Sequence, residues 1–259
     1  MPEEPPVTRR LLAHARREQT RRVSVVGVIG ELLITAGVLV FLFLGWQLWL
    51  NDLIVGTEDN HTASAIAKTW GVENAPTRDA PITPIDYGDP VVTAAPANAT
   101  TMAIMYVPRF GTDWSREIAE GIGLDDVLNT RRIGHYPTTQ MPGEVGNFAV
   151  AAHRLTYGAP FRDIDQLRLG DRIYIMTPDG YYTYLFRNLE YVSKHGVGVL
   201  DPVPQNSSVE PTARIMTLMS CNPKWSTAER IIAYAVLESW QPISAGPPSE
   251  IAPLVNAKG

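Results

Sequence analysis

The chain has 259 residues, 45% of them hydrophobic, and a formal net charge of −5, a composition that supplies one sizeable core plus accessory segments. Its single cysteine, Cys221, rules out an internal disulfide. The charge is uneven: Arg9, Arg10, Arg16, Arg17, Arg21 and Arg22 outweigh Glu3, Glu4 and Glu18 in the first 22 residues, and the rest of the chain is acidic on balance. The basic block is therefore a local signal of membrane topology and not a nucleic-acid surface.

Residues 1–22 accordingly read as a cytoplasmic basic segment, and residues 23–50 as a transmembrane anchor. The run from Leu32 to Leu50 is nineteen residues without a formal charge, which crosses a hydrocarbon core of roughly 30 Å at about 1.5 Å per helical residue. Trp46 and Trp49 fall near its distal end, where indoles favour the interface. Glu31 sits at its cytoplasmic edge as an interfacial charge. Arginines before the span and none soon after it predict an N-terminus inside the cell membrane and the bulk of the chain outside. A cleaved signal peptide is the rival reading. It calls for a shorter apolar stretch and a small-x-small site, whereas this run continues into Trp49, Leu50, Asn51 and Asp52.

Residues 51–100, which include APTRDAPITPIDYGDPVVTAAPANATT, read as an extended, extracellular Pro/Ala-rich stalk. From residue 101 the pattern changes to short strands. These are MAIMYVPRF, NFAVAAHR, DRIYIMTP and YYTYLFRNLEYV joined as a hairpin by Asp179-Gly180, RIMTLMSC, and RIIAYAVLESW. SREIAEGI reads as a short helix or turn. Residues 101–243 are predicted to form one compact all-β domain with short helices, and residues 244–259, with Pro247-Pro248, a flexible tail. The N-x-S/T triplets at Asn60, Asn98 and Asn206 carry weight only in a eukaryotic secretory route.

The chemistry is read from the cysteine. With a period of two, Ile215, Thr217, Met219 and Cys221 share one face of their strand, and Arg230, Ile232, Tyr234 and Val236 share one face of the next. If the two strands pair, Cys221 and Arg230 flank the loop NPKWSTAE at the same end of the sheet. A guanidinium there stabilises a thiolate, or the oxyanion formed when that thiolate attacks a carbonyl. An acid–base partner is then needed. His14 falls in the basic segment and His61 in the stalk, whereas His153 ends a predicted strand ahead of YGAPF and can reach the same rim. His135 reads as structural and His195, in SKHGVG, as a loop residue. Taken alone, such a cysteine reads more often as a buried, inert hydrophobe than as a nucleophile. No Cys/His spacing fits zinc, and the acids Glu117, Glu120, Asp125 and Asp126 show no calcium-loop pattern, so no metal and no cofactor is assigned.

These residues carry a family resemblance. TLMSC followed by Asn222-Pro223 and by Arg230 resembles the sortase signature TLxTC…R, and HRLTYGAPF resembles the segment around the sortase catalytic histidine. The likeness extends through HYPTTQMPGEVGNFAVAAHR and FRDIDQLRLGDRIYI, most of residues 101–240. CNPKWSTAER and HRLTYGAPF are most similar to class E sortases of high-GC Gram-positive bacteria. Ser220 departs from the motif, which usually has threonine there. The resemblance implies an all-β, sortase-like eight-stranded β-barrel with short helices, preceded by one N-terminal transmembrane helix. It implies Cys221 as nucleophile, His153 as the acid that protonates the leaving amine, and Arg230 as the group that holds substrate and oxyanion. Tyr136 is the candidate for reading the second position of the substrate signal. Tyr157, Thr217, Leu218 and Ser220 are the remaining substrate-binding candidates. The implied reaction is cleavage of a C-terminal LAxTG- or LPxTG-like sorting signal between Thr and Gly, through a thioacyl-enzyme resolved by the amine of a peptidoglycan precursor. The implied partners are secreted proteins with such signals, the precursor amine and the membrane, with no nucleic acid.

Two other classes of cysteine enzyme fit worse. L,D-transpeptidases keep histidine and cysteine close together around an S-H-G-C core, and papain-like proteases place the cysteine ahead of the histidine. Here Cys221 follows His153 at a distance. The non-enzymatic alternative is a membrane-tethered, catalytically impaired binding or assembly module for surface proteins, for which the Ser220 departure gives the footing.

Overall fold

A computed structural model describes residues 24–46, 51–70 and 86–256. The basic segment 1–22 with His14, the Trp49-Leu50 end of the apolar run and residues 71–85 of the Pro-rich stretch lie outside the described residues. The chain divides into two compact units, Met1–Trp49 and Leu50–Gly259.

In the first unit, helix α1 spans Val25–Gly45 and is capped by Ser24, whose hydroxyl accepts a hydrogen bond from the Gly27 amide. Its 21 residues have a mean hydropathy of 2.5, and none of this apolar surface is buried inside the protein. At about 1.5 Å per residue they extend roughly 32 Å, enough to cross a membrane. The Thr35 hydroxyl donates to the Glu31 carbonyl at 2.8 Å, so this polar group is satisfied within the helix. Glu31 lies in the second turn of the helix, which begins at Val25, ahead of the uncharged run.

In the second unit eight strands close into a barrel: β1 (Thr101–Tyr106), β2 (Ser115–Glu120), β3 (Ile133–His135), β4 (Gly146–Ala151), β5 (Arg172–Met176), β6 (Gly180–Ser193), β7 (Arg214–Asn222) and β8 (Glu229–Pro242). Their order around the barrel is β1-β2-β3-β4-β7-β8-β6-β5. The β2–β3 and β4–β7 pairs are parallel. SREIAEGI, expected as a helix or turn, is β2, paired on one side with β1 and on the other with β3. Its charged residues Arg116 and Glu120 are buried and partnered. Arg116 donates to Asn60 Oδ1 at 2.5 Å, and Glu120 Oε2 lies 2.7 Å from His135 Nδ1.

Both faces of much of this sheet are covered, which explains why β1 reads as a nearly continuous apolar run. Inward-facing Met105, Phe148, Val150, Ile173, Ile175, Met216, Leu218 and Ile231 fill the barrel. Their strand neighbours Ile104, Tyr106, Tyr174, Met176 and Tyr181 belong to a second apolar layer with Ala63, Ala67, Ile251 and Val255. Ala63 and Ala67 stand one turn apart on helix α2 (Asn51–Thr69), so their small side chains present one face that approaches the sheet closely. Asn60, on the preceding turn, accepts from the Ser115 amide at 3.0 Å.

The segment 51–100 thus differs from a free stalk where it is docked on the barrel. Residues 51–69 are helical and docked. Further on, Gly88 O accepts from Trp240 Nε1 at 2.8 Å, Val91 O accepts from the Tyr182 hydroxyl at 2.5 Å, and Asp89 pairs with Arg214 at 3.0 Å. The tail differs in the same way: it carries helix α3 (Ala252–Val255), buries Ile251 and Val255, and receives a 2.5 Å hydrogen bond from Tyr174 at Glu250. Ala67 offers a direct check. It is fully buried, so Ala67→Phe should overpack the outer layer and lower stability by about 1–3 kcal/mol in urea unfolding, whereas an undocked segment would leave the midpoint where it was.

Candidate active site

Cys221, near the end of β7, and Arg230, near the start of β8, are direct register partners across the antiparallel pair. Directly opposed residues project from the same face of a sheet, so thiol and guanidinium emerge side by side. His153 lies two residues beyond β4, and the parallel register Ala151↔Met219, carried two residues further, brings it level with Cys221. Two hydrogen bonds extend that register past the last strand pair: Ala152 N donates to Met219 O at 3.2 Å, and the Ser220 hydroxyl donates to Ala152 O at 2.8 Å. The three residues singled out in the sequence therefore lie at one end of the barrel.

Behind them runs a floor on the outer face of the barrel. Thr217↔Tyr234, Met219↔Ile232 and Cys221↔Arg230 are successive same-face pairs. Met219 and Ile232 pack with Val199 as an apolar cluster edged by Tyr136, Val192, Leu200 and Tyr234. A 3₁₀ turn, Val197–Leu200, forms one wall. Buried Asn147 pins it, donating from Nδ2 to Val199 O at 2.9 Å and to Asp201 O at 3.0 Å, while its Oδ1 accepts from the Thr217 hydroxyl at 2.7 Å.

The substrate-binding candidates separate by face. Tyr136 lines the groove: its hydroxyl donates to Met219 Sδ at 3.2 Å. Burial raises its pKa, Arg230 pulls it down and Cys221 pushes it up, so the phenol is within electrostatic reach of both. Tyr157 is half exposed, holds a left-handed backbone at φ 50°, and tilts against the His153 ring with centroids 5.1 Å apart. Leu218 and Ser220, by contrast, are buried on the alternate face of β7. Leu218 fills the barrel core and Ser220 ties β7 to Ala152, so neither lines the groove. Thr217 is on the groove face but fully buried, and its hydroxyl is committed to Asn147. Ser220 makes its bond with the hydroxyl it shares with threonine, so the departure from the motif leaves that link intact. His135 is buried against Glu120 and Gln140 O, and His195 lies in the turn after β6.

Sequence reading missed Asn129. Its Oδ1 lies 2.9 Å from His153 Nε2, and it sits on a 3₁₀ turn, Leu128–Thr130, that no local motif signals. With the amide in this orientation Nε2 carries the proton and Nδ1 is the basic nitrogen. Among the described residues no group of three or more His, Cys, Asp or Glu side chains stands where it could hold a metal ion.

A sortase-domain family model matches residues 105–238. The chain belongs to the sortase family, whose members are cysteine transpeptidases. Over 229 residues this sortase is 33% identical to sortase SrtE1 of Streptomyces coelicolor, an alignment covering 86% of this chain and 60% of that relative. The chain thus spans under two thirds of that relative's length. It is 27% identical over 246 residues to SrtE2 of the same organism, with 91% and 92% covered. Among solved structures it resembles the SrtA sortase from Actinomyces oris, with TM-score 0.60, 35% identity, and 64% of this chain and 94% of that one covered. It also resembles sortase E1 of S. coelicolor crystallised with a tripeptide in the active site, with TM-score 0.56, 35% identity, and 61% and 99% covered.

Burial holds the His153 imidazole below its ordinary value of 6.5, because a partly desolvated ring resists taking a charge. The unfolded chain therefore binds the proton first as pH falls. The stability tied to this ring is present in full above 6.5 and is lost as pH drops below it. His153→Gln should flatten the decline in unfolding midpoint between about pH 7 and pH 5. A decline identical in wild type and variant would mean that the ring titrates as if exposed.

Proposed function

We propose that this sortase is a membrane-anchored, class E-type transpeptidase that cleaves a C-terminal LAxTG- or LPxTG-like sorting signal between Thr and Gly and transfers the protein to a peptidoglycan precursor amine. The observation that carries the reading is the Cys221–Arg230 cross-strand pair with His153 level beside it. In this reading helix α1 is an uncleaved single-pass anchor with the N-terminus cytoplasmic and the barrel outside. The basic block ahead of the apolar helix supports that orientation.

Cys221 is the nucleophile. His153 takes the thiol proton, through Nδ1 in the tautomer that Asn129 favours, and the thiolate sulfur forms a bond to the threonine carbonyl carbon. As the tetrahedral intermediate collapses, the C–N bond to glycine breaks and His153 returns its proton to the departing amine. The product is a thioester on Cys221. The acceptor amine then attacks the same carbon, loses a proton to His153, and expels the thiolate. Arg230 stabilises the oxyanion in both steps. Its Nη1 donates to the Thr227 and Glu229 carbonyls at 3.1 and 2.9 Å, which ties one edge of the guanidinium to the loop and leaves the rest for substrate. Tyr136, over the apolar floor of Met219 and Ile232, reads the second position of the signal, where a small alanine suits a site already filled by a phenol ring.

The test is mass spectrometry of the full chain in detergent micelles, incubated with a library of xxxTG peptides. The expected result is an acyl adduct on Cys221, with LAxTG and LPxTG sequences enriched, and no adduct on Cys221→Ala. A wild-type chain that binds these peptides without forming any adduct would instead support the impaired binding module.

A further inference from the structure

Each of the three reacting residues has a chain neighbour that belongs to a second network. Arg154 follows His153, Asn222 follows Cys221, and Glu229 precedes Arg230. Arg154 Nη1 donates to Asn222 Oδ1 at 2.5 Å and to Cys221 O at 3.3 Å. Its Nη2 pairs with Asp165 Oδ2 at 2.9 Å. Asn222 Nδ2 in turn donates to Glu229 Oε2 at 3.0 Å. Successive residues on a strand project from opposite faces, so Asn222 and Glu229 sit behind the sheet face that presents Cys221 and Arg230.

The network stands where regular structure stops. β4 ends at Ala151 and its last bond to β7 is Ala152 N to Met219 O, so no sheet ladder fixes the peptide between His153 and Arg154. That peptide is held instead by the Phe161 amide donating to His153 O at 3.1 Å and by the Arg154 side chain. The arginine is 4% exposed, and its Nε has no hydrogen-bond partner. A guanidinium taken this far out of water is costly unless its charge is matched and its donors are used. Here the charge is matched by Asp165, which also lies 3.7 Å from Lys224. The two terminal nitrogens face opposite partners, Asp165 on one side and the Cys221–Asn222 peptide on the other. Only a forked cation bridges that gap; a lysine ammonium is a single point.

Resting on the proposed roles of Cys221, His153 and Arg230, we propose that Arg154 is a positioning residue, a clamp that sets the spacing of His153 and Cys221 through the backbone of both. Arg154 does not reach the substrate. It holds the histidine peptide and the cysteine peptide in one frame, and Asn222 passes that restraint to the arginine strand through Glu229.

The experiment is a double-mutant cycle on the full chain in detergent micelles with Arg154→Lys, Asn222→Ala and both together. It reads kcat and KM on a fluorogenic LAxTG peptide and the rate of Cys221 alkylation by iodoacetamide at fixed pH. The expected result for Arg154→Lys is a loss in kcat of about 100-fold, the scale of an ångström-sized misplacement, with KM changed by less than about twofold. The double variant should lose no more than the worse single one, since both break the same clamp. Alkylation should change by more than about threefold, because the microenvironment sets thiol reactivity. Wild-type kcat and alkylation in folded Arg154→Lys, or additive losses in the double variant, would reduce Arg154 to a fold-stabilising residue. Turnover surviving in Cys221→Ala would sink the parent reading instead, and the alkylation rates would still decide the clamp.

Discussion

The parallel pairing of β4 with β7 is the constraint on which this site depends. An antiparallel neighbour would carry its chain away from the cysteine. A parallel one ends at the same rim, so His153 emerges where Cys221 does. The pairing is extended past the last ladder bond by the Ser220 hydroxyl on Ala152 O. On the other side of β7, the antiparallel turn into β8 returns the chain at Arg230. One strand thus has a parallel neighbour that leads to an imidazole and an antiparallel neighbour that begins with a guanidinium. The residues of the proposed site come from three separate stretches of sequence.

Desolvation connects the fold to the chemistry. The groove lies on the outside of the barrel, yet its floor is apolar, because Met219 and Ile232 are covered by the Val197–Leu200 turn and by Tyr136. Burial lowers the pKa of the His153 imidazole and raises that of the Tyr136 phenol. A partly dry floor also strengthens any charge interaction made over it. The same covering strategy recurs on the far side of the barrel, where α2 and the C-terminal segment bury Ile104, Tyr106 and Tyr174. The barrel is small, and a second apolar layer supplements what its interior alone can bury.

Much of this was legible in the residues. Alternation in RIMTLMSC and RIIAYAVLESW separates the groove face from the core face, and the spacing of Cys221 and Arg230 places both at one sheet end. What escaped was tertiary. SREIAEGI, read as a short helix or turn, is a strand whose charged Arg116 and Glu120 are buried. Their partners, Asn60 and His135, lie on other elements. Ala63 and Ala67, where α2 packs on the sheet, are of a residue type that also fills unstructured linkers, so composition alone could not separate the cases. Asn129 was invisible for the same reason, since its contact with His153 crosses two elements and has no local pattern. Leu218 and Ser220 show the opposite error. Motif membership placed them at the substrate, while strand alternation, equally visible in the sequence, assigns them to the other face.

Asn147 has a consequence for how this chain can vary. Its amide is saturated, with both nitrogen protons given to carbonyls of the groove wall and its oxygen taken by Thr217. Aspartate has the same outline and would set an oxygen against two carbonyl oxygens; glutamine is one methylene too long for a fully buried site. Replacing Thr217 with valine would leave the amide oxygen unsatisfied. Neither position tolerates drift while the other stays fixed, so across descendants of this sequence residues 147 and 217 should co-vary, although neither touches a reacting atom.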